Sequence, residues 1–141
     1  MGKISIKILF LIVFLNLICL AEIYKISSDD VILLRRNNFS NHFIESLYDR
    51  GYIYCSIKDI IKLKKNNLSE ALIYQYIQVP LKISVEDLIR LRKANFNNDF
   101  LSFVIKNGYS EKVSISKMIE MKKNKIDPNL ILRIAYARKK G

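Results

Sequence analysis

One six-residue pattern recurs four times in this 141-residue chain, and it restricts the fold more than any other feature. The copies are Ser27-Ser28-Asp29-Asp30-Val31-Ile32, Ser56-Ile57-Lys58-Asp59-Ile60-Ile61, Ser84-Val85-Glu86-Asp87-Leu88-Ile89 and Ser114-Ile115-Ser116-Lys117-Met118-Ile119. Their fourth positions, 30, 59, 87 and 117, lie 29, 28 and 30 residues apart. A period of this length marks stacked supersecondary units, each too small to bury its apolar face alone.

The pattern is that of a helix start. Each Ser can accept from the N–H groups that a first turn leaves unpaired, and three copies place Asp three residues later, where its charge suits the helix dipole. An apolar residue precedes each Ser (Ile26, Cys55, Ile83, Val113) and another follows four positions after it (Val31, Ile60, Leu88, Met118). Those are the two positions of a hydrophobic staple. Cys55 therefore aligns with three aliphatic residues and reads as a small buried hydrophobe. The alternative is a thiol that pairs with another chain or reacts.

Each first helix is expected to run about ten residues, with Ile57, Ile60, Ile61 and Leu63 showing the apolar face in the second copy. It should stop at Asn37-Asn38, Asn66-Asn67, Ala94-Asn95 and Asn124-Lys125, because Asn tolerates the left-handed conformation that ends helices. An apolar residue (Phe39, Leu68, Phe96, Ile126) then folds back, and a new cap (Ser40, Ser69, Asn97, Asp127) opens a second helix, with Pro128 at the first position of the last one. The second helices should bury Phe43, Ile44, Leu47 and Tyr48; Leu72, Ile73, Tyr76 and Ile77; Phe100, Leu101, Val104 and Ile105; and Leu130, Ile131, Ile134 and Ala135. Gly51 and Gly108 suit the ends of the second helices in copies one and three. They lie 57 residues apart, as do Asp30 and Asp87, so the copies are expected to alternate as ABA′B′.

The expected fold is thus all-α: four tandem two-helix hairpins of about 29 residues, near 27–55, 56–83, 84–113 and 114–141. Helices this short need packing to persist, and the hairpins can share one core as a short solenoid or a compact bundle.

Residues 1–21 read as an export signal. Lys3 and Lys7 precede the apolar run from Ile8 to Ala21, no acidic residue occurs before Glu22, and Cys19-Leu20-Ala21 offers a cleavage site after Ala21. The alternatives are an uncleaved membrane anchor, for which the run is short, and a lipid on Cys19, which Ile18 suits poorly. Residues 22–26 form a short lead segment, and 27–141 the helical repeat domain. The localisation expected is periplasmic or secreted.

The strings Leu63-Lys64-Lys65-Asn66-Asn67-Leu68-Ser69-Glu70 and Leu91-Arg92-Lys93-Ala94-Asn95-Phe96-Asn97 resemble the SHOCT module, a small helix–turn–helix unit of bacterial envelope proteins. The resemblance spans roughly 20 residues per copy. It departs where Asn replaces the usual Gly of the turn and where the acidic-Phe pair is missing. What it implies is a helical interaction or assembly module without chemistry, working on another envelope protein.

Charge offers the competing function. The chain carries 24 Lys and Arg against 13 Asp and Glu, net +11. A basic doublet recurs at one position of every copy: Arg35-Arg36, Lys64-Lys65, Arg92-Lys93 and Lys122-Lys123. Stacked in register these eight residues form a ladder able to bind an anionic polymer or lipid headgroups. The structural explanation is that each doublet lies in the last helical turn, where the dipole favours cations. A sequence-specific nucleic-acid partner is not expected, since the turns contain no Gly-x-Gly, and non-specific binding at low salt says little.

Neither a catalytic site nor a cofactor or metal site is expected. His42 is the only histidine, at a helix start near Glu45 and Asp49, and no nucleophile is placed beside it. The tyrosines Tyr48, Tyr52, Tyr54, Tyr74 and Tyr76 read as core edges, or as part of a partner interface.

Overall fold

The computed structural model describes residues 23–80 and 83–137, together with Lys7. The signal expected at 1–21, its cleavage site and Cys19 fall outside the described part, Lys7 excepted. The described chain is all-α apart from one two-residue ladder. Its elements are β1 (Tyr24–Lys25), α1 (Ser28–Arg36), α2 (Asn41–Arg50), β2 (Tyr52–Ile53), α3 (Ile57–Lys65), α4 (Glu70–Ile77), α5 (Val85–Lys93), α6 (Asn98–Asn107), α7 (Ile115–Lys123) and α8 (Pro128–Tyr136).

The starts of α1, α3, α5 and α7 follow from the repeated Ser. Ser27, Ser56, Ser84 and Ser114 each accept from the backbone N–H three residues on, at 3.2, 3.1, 3.1 and 3.1 Å. At Ser27 the bond is reciprocated, because Asp30 accepts from the Ser27 N–H at 2.9 Å and completes a capping box. The second helices open on Ser40, Ser69 and Asn97, which accept from Phe43, Leu72 and Phe100, and on Asp127, which accepts from Asn129.

Between the helices of each pair the chain makes the same turn. The N–H of Phe39, Leu68, Phe96 and Ile126 returns to the carbonyl five residues back (Leu34, Leu63, Leu91, Met121) at 3.1–3.3 Å. The preceding N–H of Asn38, Asn67, Asn95 and Lys125 bonds three residues back at 2.9–3.1 Å. This is the Schellman pattern, and it places the residue before the apolar one in the left-handed region, at φ 65°, 65°, 64° and 61°. Asn fills that position in three copies. In the fourth it is Lys125 that turns, not Asn124, a less favourable choice because its Cβ meets the carbonyl and it lacks Asn's short polar group. The two apolar residues that the turn joins are both buried in copies one to three.

Helix contacts run in two directions. Consecutive helices pair as α1 with α2, α3 with α4, α5 with α6 and α7 with α8. Alternate helices also meet: α1 with α3, α3 with α5 and α5 with α7, and likewise α4 with α6 and α6 with α8. One apolar core runs through all of them, and no polar side chain is buried in it among the described residues.

Three residues expected in the core are exposed: Tyr48 (64%), Leu130 (39%) and Ile134 (43%). The reason is positional. Tyr48 aligns with Ile77, Ile105 and Ala135, which are buried; Leu130 and Ile134 align with Leu72 and Tyr76, and with Phe100 and Val104, also buried. The Tyr48 position is thus buried where another copy precedes it in the sequence, and the Leu130 and Ile134 positions where another follows. The lead segment also holds more order than expected. Tyr24 and Lys25 pair antiparallel with Ile53 and Tyr52, so 23–26 lies beside the linker of the next copy.

Candidate functional site

The basic doublets divide into two rows with different surroundings. The first member in copies two to four reaches back to the preceding turn. Lys64 Nζ donates to the Asn38 carbonyl at 2.6 Å, Arg92 Nε to the Asn67 carbonyl at 2.9 Å, and Lys122 Nζ to the Asn95 carbonyl. Each acceptor belongs to the left-handed residue of the copy before. Such a carbonyl, turned out of the helix ladder, has lone pairs that a cation satisfies well.

The alternation between copies is visible here. In the odd copies the first member is Arg, and Arg35 and Arg92 bond the carbonyl of their own Phe39 and Phe96 at 3.2 and 3.1 Å. In the even copies it is Lys, with Lys64 and Lys122 over the Phe39 and Phe96 rings at 4.4 and 5.1 Å from the centroids. Both rings stack on the first core Phe of the following helix, Phe43 and Phe100.

Glu70 ties the first two copies further. It accepts from the Ser40 N–H at 2.8 Å, the Ser40 hydroxyl at 2.6 Å and Lys64 Nζ at 2.9 Å. Partial burial pushes its carboxyl up, but the bonds from Ser40 and Lys64 outweigh this and hold it below the usual carboxylate range. A second register of polar contacts links α3 to α5 and α5 to α7: Lys62 with Glu86 at 3.3 Å, and Arg90 Nη2 donating to Ser116 Oγ at 2.7 Å. Neither was legible in the sequence, which shows charges but not which groups of the next copy they meet.

The second member of each doublet, Arg36, Lys65, Lys93 and Lys123, is exposed. These four occupy equivalent positions at the C-terminal ends of α1, α3, α5 and α7, helices that pack in series. A shallow depression of about 330 Å³ lies between the ends of α5 and α7, lined by Lys93, Asn95, Ile119, Lys122 and Lys123. The eight expected anion ligands therefore fall into four cations that bond neighbouring backbone and four that face solvent.

His42 is exposed beside a small depression of about 240 Å³ with Ser46, Glu70 and Tyr74. Glu70 is already engaged there. Cys55 is buried, and burial, with Asp59 as a lesser cause, pushes its thiol up to about 12. Tyr76 is buried and donates to the Ile83 carbonyl at 2.7 Å, whereas Tyr48 and Tyr52 face solvent. Among the described residues no cluster of His, Cys, Asp or Glu could hold a metal ion, and no helix is long and apolar enough to cross a membrane.

No family model, no curated protein and no solved structure matches this chain.

Proposed function

We propose that the chain is an exported, non-enzymatic protein of the cell envelope whose four two-helix hairpins stack as a short solenoid and act as a protein-interaction and assembly module. The observation that carries this reading is the location of exposed apolar side chains. Tyr48 in the first copy, and Leu130 and Ile134 in the last, sit at positions that are buried in the inner copies. A stack of repeats without polar end copies presents part of its own core interface to solvent. Export is proposed from residues 1–21 alone, and mass spectrometry of the mature protein tests it through cleavage after Ala21.

The interaction role is tested by replacing Leu130 and Ile134 together with Glu and isolating the protein from envelope extract. The expected result is loss of co-purifying protein with unchanged helical circular dichroism. Unchanged partners would refute the end-face assignment.

A second reading is favoured by one observation, the exposed row Arg36, Lys65, Lys93 and Lys123. Repeated cations at one register suit an anionic polymer or lipid headgroups. Replacing Lys65 and Lys93 with Glu should then abolish salt-sensitive binding to anionic vesicles or a polyanion, while the Lys64 and Arg92 junctions remain.

A further inference from the structure

Resting on the interaction role proposed above, we infer that the partner of the C-terminal end face is the N-terminal face of a second copy of this chain, stacked head to tail. The first argument is continuity with the junctions inside the molecule. At those junctions the positions equivalent to Leu130 and Ile134 are buried wherever a copy follows, and the position equivalent to Tyr48 wherever a copy precedes. The same register brings the exposed Arg35 of a second copy to the Lys125 carbonyl, continuing the series Lys64 to Asn38, Arg92 to Asn67 and Lys122 to Asn95.

The second argument is charge. The last copy (114–141) holds eight Lys and Arg and two carboxylates, whereas the first (27–55) holds three Arg and four carboxylates. Two basic ends, or two first copies, would meet with unlike surfaces absent; head to tail they are complementary. A specific pair follows from the Ser102 hydroxyl, which donates to Gln75 Oε1 at 2.8 Å across the α4–α6 contact. The equivalent residues at the new junction are Glu45 and Arg133, both exposed. One like-charge pair also results, Glu120 against Asp29, at the register of Lys62 with Glu86; Lys117 already bonds Glu120 at 2.8 Å and screens it.

A head-to-tail contact does not close on itself, so it yields a concentration-dependent series of oligomers rather than one dimer. Sedimentation equilibrium of the whole protein tests this. The expected result is an average mass that rises past the dimer with concentration. Glu45→Arg and Arg133→Glu should each weaken association on the order of tenfold, and an equimolar mixture of the two variants should restore it. A monomer at every concentration overturns the inference. So does a dimer insensitive to Glu45→Arg, which would join two C-terminal ends. If the protein is monomeric yet envelope partners still depend on Leu130 and Ile134, the interaction role stands and only the second copy is refuted. If neither occurs, both fail.

Discussion

Leu72 in α4 and Leu130 in α8 are the same residue at equivalent positions of the second and fourth copies, and they differ in burial. Leu72 is 4% exposed and Leu130 39%. Truncating a fully buried Leu to Ala removes its transfer energy and leaves a cavity, together about 3 kcal/mol. Leu130 has part of its surface in water already, and an open face collapses without a cavity, so Leu130→Ala should cost about 1 kcal/mol. For a domain of this size that corresponds to falls in Tm of roughly 12 and 4 °C. Thermal unfolding followed by circular dichroism, at protein concentrations below any self-association, measures both. Equal losses, or a larger one for Leu130→Ala, would refute the assignment of Leu130 to an uncovered end. If a second copy covers the face, the Leu130→Ala penalty should also grow with protein concentration, whereas that of Leu72→Ala should not.

Three further outcomes are expected. Lys125→Gly should stabilise the protein by about 1 kcal/mol, since the φ of 61° strains a Lys and not a Gly, and urea titration reads the change. Glu70→Gln should destabilise it by about 1–2 kcal/mol through weaker bonds to Ser40 and Lys64, and should remove part of its acid sensitivity. Because the folded Glu70 carboxyl lies below its ordinary value of 4.5, its contribution is full above that value and is lost as pH falls through the folded one, a slope that the Gln variant should lack. Cys55, buried with its thiol near 12, should resist a thiol reagent at pH 8 in the native protein and react at once in urea.

The helix starts were legible because Ser at a cap is a local signal that acts on backbone three residues away. The turns were legible nearly as well, since Asn announces the left-handed residue, but the last copy puts Lys125 there and no propensity identifies it. The core was readable wherever a copy has neighbours on both sides. It misled at Tyr48, Leu130 and Ile134, which are exposed although the equivalent residues of the inner copies are buried. The candidate anion site was half legible. Charge and register are properties of the sequence, but the pairing of Lys64, Arg92 and Lys122 with turn carbonyls depends on how copies sit on one another. Even the choice between Arg and Lys, alternating along the chain, has a local reason that appears only with the Phe39 and Phe96 rings in place.

The most direct test of an interaction module that works through its ends is site-specific photo-crosslinking in cells that produce the protein. A photoreactive residue at position 134 or 48 should give protein adducts, and one at the exposed inner-copy position 99 should give none. No adducts at 134 and 48, or equal adducts at all three positions, would contradict it.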